Sequence, residues 1–254
     1  QAGDIELATV MNKRLRDNGL VPRTVWISSL RDKRIQEKLF DLFKSESVKA
    51  VLISTSFSSV EIDKAHLGVP IWEELNVPVF QILTSTNSRK QWVESLVGLS
   101  PLDLSIQVVL TELEGRITTR PCAFKEIEIM NNELATVIQK LEPDIDGIKW
   151  LVNHVDNWIK LQEIKPVQKK ICLVVANYPV KNGRIANGVG LDTPESIVQI
   201  LEWLKESGHF IGNDKYPING NLLINELLKR RTNDPESKKN EAIAYLSLEN
   251  YNLW

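Results

Sequence analysis

Three short β-prone runs, set apart by stretches of helical periodicity, constrain the fold of this 254-residue chain more than any other feature. They are TVWISS (24–29), AVLISTS (50–56) and VPVFQILTS (77–85). Ahead of the first, DIELATVMNKRLRDNG puts Leu7, Val10, Met11 and Leu15 on one helical face, and Asn18-Gly19 stops the helix. RIQEKLFDLFKS, with similar spacing, separates the first run from the second. Strands that alternate with helices pair in parallel through right-handed crossovers, because a tight turn cannot reach a parallel neighbour. The alternation resumes at Lys170 with KICLVVA, a glycine-rich loop, a helix over 194–206 stopped by Gly208, and a further helix in NGNLLINELLKRRTNDP. The prediction is an α/β fold of two Rossmann-like lobes, parallel sheets flanked by helices, joined by a helical segment. The first lobe spans 1–125 and lacks its N-terminal strand, the helical connector spans 126–168, and the second lobe spans 169–254 and is truncated at its C-terminus. A chain that opens on Gln1 and closes on YLSLENYNLW reads as a piece of a longer protein.

The middle changes character. SRKQWVESLVGLSPLDLSIQVVLTELEG reads as helical, broken near Leu99-Ser100-Pro101, where Ser100 can cap a helix with Pro101 in its first turn. RITTRPCAF is extended. In the connector, Ile148, Leu151, Val152, Val155, Trp158 and Ile159 form an amphipathic stripe, with Pro143-Asp144 as a break upstream and EIKPVQKK as a charged linker.

Composition narrows the classes. At 43% hydrophobic and 25% charged, the chain is ordinary globular protein, and a net charge of -2 argues against a nucleic-acid surface. No apolar run reaches the roughly 18 residues of a membrane helix. Cys122 and Cys172 lie in apolar stretches without a CxxC partner and read as buried free thiols in a reducing cytoplasm. His66, His154 and His209 lack a second ligand at metal-binding spacing, and His154 reads as a surface residue on the polar side of its helix.

Two places carry candidate chemistry. In NGRIANGVGLDTP, Gly183, Gly188 and Gly190 permit positive φ or close backbone approach, and Asp192 or Thr193 can cap the following helix with Pro194 in its first turn. The helix N-terminus suits a carboxylate or phosphate, but the loop is neither GxGxxG nor GxxxxGK[ST] and has no P-loop lysine, so ATP hydrolysis is not expected here. Anion binding and a structural turn both stay open. In TELEGR, Glu112 and Glu114 are two apart and do not share a helix face; each is either a solvated carboxylate or an active one held ionised by Arg116.

The motifs carry a resemblance. ANYPVKNGRIANGVGLDTPESIVQILEWLKESG, GLVPRTVWISSLRD (19–32), NVPVFQILTSTNSRKQW (76–92), GLSPLDLSIQVVLTELEGRITTR (98–120) and RTNDP (231–235) resemble the large, CobN-type subunit of aerobic cobaltochelatase. Gly3-Asp4, TSFS (55–58), AFK (123–125) and LSLENY (246–251) fit in the same order, so the resemblance covers nearly the whole chain. That family overlaps with the H subunit of magnesium chelatase, and the loop favours the cobalt branch.

The resemblance implies a ligase that inserts Co2+ into hydrogenobyrinic acid a,c-diamide in cobalamin synthesis. ATP is hydrolysed by separate AAA+ partner subunits, in keeping with the missing Walker motif. The corrinoid is rimmed by carboxylates and amides, which the loop can hold. Chelation removes two pyrrole protons and strips water from the metal, and a carboxylate serves both ends. Glu112 matches the family's acidic motif; Glu114 stands where aspartate is expected. Arg89 and Trp92 are candidates for carboxylate pairing and ring stacking, and Arg116, Arg184, Asn187, Gly188, Gly190 and Thr193 for substrate binding. The metal ligands are unassigned, and the isolated piece is expected to be inactive. Two alternatives remain: a magnesium chelatase H subunit acting on protoporphyrin IX, and a non-catalytic two-lobed ligand-binding module.

Overall fold

The computed structural model describes residues 5–56, 70–131, 136–177, 182–212 and 216–254; of Pro70, 127–131, 136–138 and Arg184 it describes the backbone. His66, Gly3-Asp4 and Phe57-Ser58 of TSFS lie outside the described residues. The chain divides into two compact units, Gln1–Gln162 and Glu163–Trp254.

The first unit is α/β. Its elements are α1 (Glu6–Asp17), α2 (Lys33–Ser45), β1 (Val51–Ile53), α3 (Pro70–Leu75), β2 (Val79–Ser85), α4 (Arg89–Glu94), α5 (Pro101–Leu104), a π-helical turn (Ser105–Val109), α6 (Leu110–Glu112), β3 (Ile117–Asn131), β4 (Thr136–Pro143) and α7 (Ile145–Glu163). The sheet order is β1-β2-β3-β4. β1, β2 and β3 pair in parallel, as the alternation predicts, whereas β4 runs antiparallel to β3 from Ala123↔Pro143 to Asn131↔Thr136. The sheet is therefore mixed. The β2–β3 register shifts around Leu83↔Pro121, where proline has no N–H for the ladder.

Two helix signals hold where sequence placed them, at α1 and at the start of α5. α1 buries Leu7, Met11 and Leu15, and Gly19 stops it at φ 81°. Ser100 caps α5 through the Asp103 N–H, with Pro101 in the first turn.

The connector does not exist as predicted. Its start, 126–131, continues β3, and 136–143 is β4. KEIEI alternates polar and apolar residues with period two, and that period outweighs the helix-forming Glu and Lys in it. The stripe of α7 is core: Ile148, Leu151, Val152 and Val155 pack with Phe80, Cys122, Ala123 and the α1 residues. Gly147 makes this packing possible, since a Cβ there would stand 2.0 Å from the Pro121 carbonyl oxygen. His154 is not a free surface residue. It stacks on Trp150 with centroids 4.7 Å apart, meets Phe80 edge-on at 5.8 Å and accepts a 3.2 Å hydrogen bond from Trp158 Nε1.

Two predicted strands are absent among the described residues. TVWISS is irregular, with a bend at Ser28: Ile27 packs beside β1, while Val25 and Trp26 are exposed. KICLVVA is likewise irregular, with Ile171, Leu173 and Val174 exposed. Only one of the two cysteines is buried: Cys122 lies in the sheet and Cys172 is exposed.

The second unit is built on α8 (Thr193–Glu206) and α9 (Gly220–Leu228), with a short α10 (Leu248–Asn252). Ile197, Val198 and Leu223 form its core, with Val175 and Leu201 against them. Its described residues include isolated bridges at Asn177↔Ile185 and Gly188↔Leu191 but no strand, so a parallel-sheet lobe is not what these residues build. Among the described residues no helix is long and apolar enough to cross a membrane.

Candidate functional site

The candidate carboxylates follow an unusual helical segment. From Pro101 to Glu114 the buried positions are polar: Asp103, Gln107, Thr111 and Glu114. Two of them, Gln107 and Asp103, lock the segment onto the end of β2. Gln107 imitates a strand neighbour, its Oε1 accepting from the Thr84 N–H at 2.9 Å and its Nε2 donating to the Thr84 carbonyl at 2.7 Å. Asp103 Oδ2 accepts from the Thr86 N–H at 2.9 Å and from its hydroxyl at 2.7 Å, and Oδ1 accepts from Gln107 Nε2 at 3.1 Å. Thr111 Oγ1 donates to the Gln107 carbonyl at 2.7 Å. The π-helical turn at Ser105–Val109 lies within this lock; such turns cluster at functional sites.

The segment separates the two glutamates. Glu114 goes inside: its Oε2 stands 2.8 Å from Arg116 Nη2, and the side chains are 2% and 0% exposed. Arg116 Nη1 also donates to Gln81 Oε1 at 2.7 Å and to the Thr55 carbonyl at 3.1 Å. Burial pulls the guanidinium pKa down, and the Glu114 charge opposes that shift. Glu114 and Arg116 thus form a structural pair, out of reach of a large ligand. Glu112 is exposed and accepts a 2.5 Å hydrogen bond from Thr118 Oγ1 at the start of β3. Of the predicted acids, only Glu112 presents its carboxylate to the surface.

Arg89 and Trp92 stand on α4, just beyond the C-terminal end of β2, where α/β sheets place ligands. Ser88 caps α4 in a full capping box with Gln91. Arg89 Nε pairs with Asp144 Oδ1 at 2.7 Å, and this hydrogen bond raises the guanidinium pKa. Asp144 also accepts from the Gly147 N–H at 2.8 Å and so caps α7. Arg89 is therefore already engaged, though half exposed. Trp92 packs on Phe124 at 5.9 Å and lies beside Gly98.

The glycine loop belongs to the second unit. Asn182–Arg184 forms a 3-10 turn, Ala186 is buried at φ 56°, and Gly190 sits at φ 74°. A Cβ at Gly188 would stand 2.7 Å from Thr193 Oγ1, so glycine serves close packing there. Asp192 caps α8, its Oδ1 accepting from the Glu195 N–H at 3.2 Å. A carboxylate of the chain itself thus occupies the helix terminus that would attract an anion. Asn187 is exposed, and Thr193 Oγ1 is buried without a hydrogen-bond partner among the described residues. TNDP holds the loop: Asp234 Oδ2 accepts from the Asn182 N–H at 3.1 Å, Thr232 Oγ1 donates to Asn182 Oδ1 at 2.8 Å, and Asn177 bonds Asn233.

Sequence reasoning did not single out Asp103, Gln107, Gln81, Asp144 or Asp234 as site-forming. Asp103, Gln107 and Thr111 were legible as a polar stripe at i, i+4 and i+8 in an otherwise apolar helix. Among the described residues no group of three His, Cys, Asp or Glu side chains is arranged to hold a metal ion. A shallow hollow of about 230 Å³, lined by Lys33, Gln36, Glu37, Phe40, Ile71 and Glu74, contains none of the predicted residues.

Residues 1–254 match the family described as CobN/Magnesium Chelatase. The chain belongs to that family. The aerobic cobaltochelatase subunit CobN of Sinorhizobium sp is 31% identical over 99% of this chain and 19% of its own length. The CobN subunit of Pseudomonas aeruginosa is 31% identical over 93% of this chain and 18% of its own. The solved catalytic subunit of cobaltochelatase from Mycobacterium tuberculosis superposes with a TM-score of 0.73 at 27% identity, covering 90% of this chain and 19% of that one. The chain thus spans about a fifth of the length of these CobN relatives.

Proposed function

We propose that this chain is part of the tetrapyrrole-binding large subunit of an ATP-dependent cobaltochelatase, inserting Co2+ into hydrogenobyrinic acid a,c-diamide in cobalamin biosynthesis. The observation that carries the reading is the 31% identity to the aerobic cobaltochelatase subunit of Sinorhizobium sp across 99% of the chain.

Insertion releases the inner N–H proton of the corrin ring as the divalent ion enters, so the ring needs a base and the metal needs help in losing water. Glu112 is the proposed base. Its carboxylate is exposed, and the Thr118 hydroxyl orients it while leaving the second oxygen to accept a ring proton. Arg89 and Trp92 are proposed to meet a corrinoid carboxylate and the ring edge, and the loop residues Arg184, Asn187, Gly188, Gly190 and Thr193 a peripheral amide or carboxylate. Glu114 and Arg116 support Glu112 by fixing the turn between α6 and β3 and take no part in proton transfer. AAA+ partner subunits hydrolyse the ATP, and the reaction belongs to the cytoplasm.

The test uses the complete large subunit with its ATPase partners. Co2+ insertion into the corrinoid diamide is followed by absorbance for wild type and Glu112→Gln, with Mg2+ and protoporphyrin IX in parallel. Cobalt insertion that fails in the variant supports the reading. Porphyrin metallation alone would move the assignment to the magnesium branch, and an unchanged rate in Glu112→Gln would remove Glu112 as the base.

A further inference from the structure

The segment that carries Glu112 is inside out. Leu102, Leu104, Val109 and Leu113 are each 47–63% exposed, while Asp103, Gln107, Thr111 and Glu114 are 0–7% exposed. A helix resting on a sheet normally turns its apolar stripe inward. Here the inward stripe is polar because Gln107 and Asp103 bond the Thr84 and Thr86 backbone at the end of β2. The leucines and valine are thereby driven outward. The apolar exposure continues through the preceding turn, where Val93, Leu96 and Val97 are also exposed. An apolar area of this extent on a folded protein marks a surface that something else covers.

We infer that a segment of the same longer polypeptide, from outside these 254 residues, packs on the outer face of 102–113. Two observations favour this occupant. The chain spans about a fifth of the length of its CobN relatives, so in proteins of that length most of the polypeptide lies elsewhere. The face is also the outside of a helical segment, with Leu102, Val109 and Leu113 exposed and Ile106 half-buried beside them, and an exposed apolar helix side is what packs against another helix. A planar macrocycle would instead need a cleft, and the helix face supplies only one wall. Glu112 lies between Val109 and Leu113 at the margin of this face, so the covering segment borders the proposed base and limits water there.

The experiment is hydroxyl-radical footprinting of the wild-type complete subunit, read by mass spectrometry on the peptide containing 101–114. The expected result is oxidation of Leu102, Val109 and Leu113 at least about tenfold slower than in the unfolded peptide, without tetrapyrrole and at every protein concentration tried. Rates near the unfolded value would overturn the inference. Protection that arises only with added corrinoid would overturn it in favour of the substrate as occupant. Protection that grows with protein concentration would overturn it in favour of a second copy. Because the readout needs neither ATP nor cobalt, it stands or falls apart from the proposed reaction.

Discussion

Glu114 and Arg116, two residues apart in the chain, meet as an ion pair of 2.8 Å with side chains 2% and 0% exposed. The arginine crosses to Gln81 on β2 and to the Thr55 carbonyl beyond β1, so the pair ties the turn after α6 to two neighbouring strands. Removing one partner takes from the other the opposite charge it faces in the interior. Arg116→Met alone is expected to cost about 3–5 kcal/mol, and Glu114→Leu a similar amount, whereas the double variant loses clearly less than the sum. Urea unfolding of the four proteins measures the coupling. Strict additivity would show that the pair is not what holds this turn.

Glu112→Gln separates chemistry from stability. The side chain is exposed and the amide oxygen can still accept from Thr118, so the unfolding free energy should change by no more than about 0.5 kcal/mol. Cobalt insertion by the complete enzyme should fall by about 10²- to 10⁴-fold, the range for loss of a positioned base. Thr118→Val should give a smaller loss in rate, since it frees the carboxylate without removing it.

Gly147→Ala tests the contact between α7 and the sheet. The added Cβ would meet the Pro121 backbone oxygen at 2.0 Å, and a backbone atom in mid-strand cannot swing away. The expected cost lies at or above the top of the roughly 1–3 kcal/mol range for overpacking. Thermal unfolding with a near-wild-type midpoint would mean that α7 does not approach the strand this closely.

The two cysteines should differ in their access to reagents. Burial, with the Asp144 charge second, pushes the Cys122 thiol up to about 12 from 9.0. Cys172 is exposed. A thiol reagent should modify Cys172 in the native protein and reach Cys122 only after unfolding. The raised folded-state pKa also sets a pH dependence. Its contribution to stability is fully present below pH 9.0 and is lost as pH rises toward about 12, because the unfolded chain releases this proton first. Replacing Cys122 with Ala should flatten that alkaline limb.

Asp234→Ala should loosen the glycine loop without unfolding the second unit. Asp234 holds the Asn182 N–H at 3.1 Å and the Glu236 N–H at 3.0 Å. Losing one such bond to a charged acceptor, worth about 1.5–3 kcal/mol, should speed exchange of the Asn182 amide by about tenfold or more. Exchange in the α8 amides should stay as it is.

Much of the first unit was legible. Local signals are sufficient where they repeat at short range: the stripe of α1, the Ser100–Pro101 start, and the apolar runs that became β1 and β2. The connector was misread because Glu, Lys and Leu in 126–142 suit a helix by propensity, while the pairing of 136–143 with 123–131 comes from register between two segments of the sheet. TVWISS and KICLVVA have strand composition but form no strand among the described residues: at the end of KICLVVA the Ala176 carbonyl accepts from the Ala186 N–H at 2.9 Å, and a strand needs a neighbour along its length for its hydrogen bonds.

The sequence by itself determined the family, through motifs spread across the whole chain, and the α/β character of the first unit, through periodicities that depend only on backbone geometry. It also separated Glu112 from Glu114, since residues two apart on a helix cannot face the same way. Which of them turned inward was decided only by the tertiary structure. Glu114 is buried because Arg116 waits there with Gln81 and Thr55, and that junction of three segments brings together residues up to 61 positions apart. Contacts over such separations carry no local signature. They exist once the strands are aligned, and alignment is a property of the whole sheet.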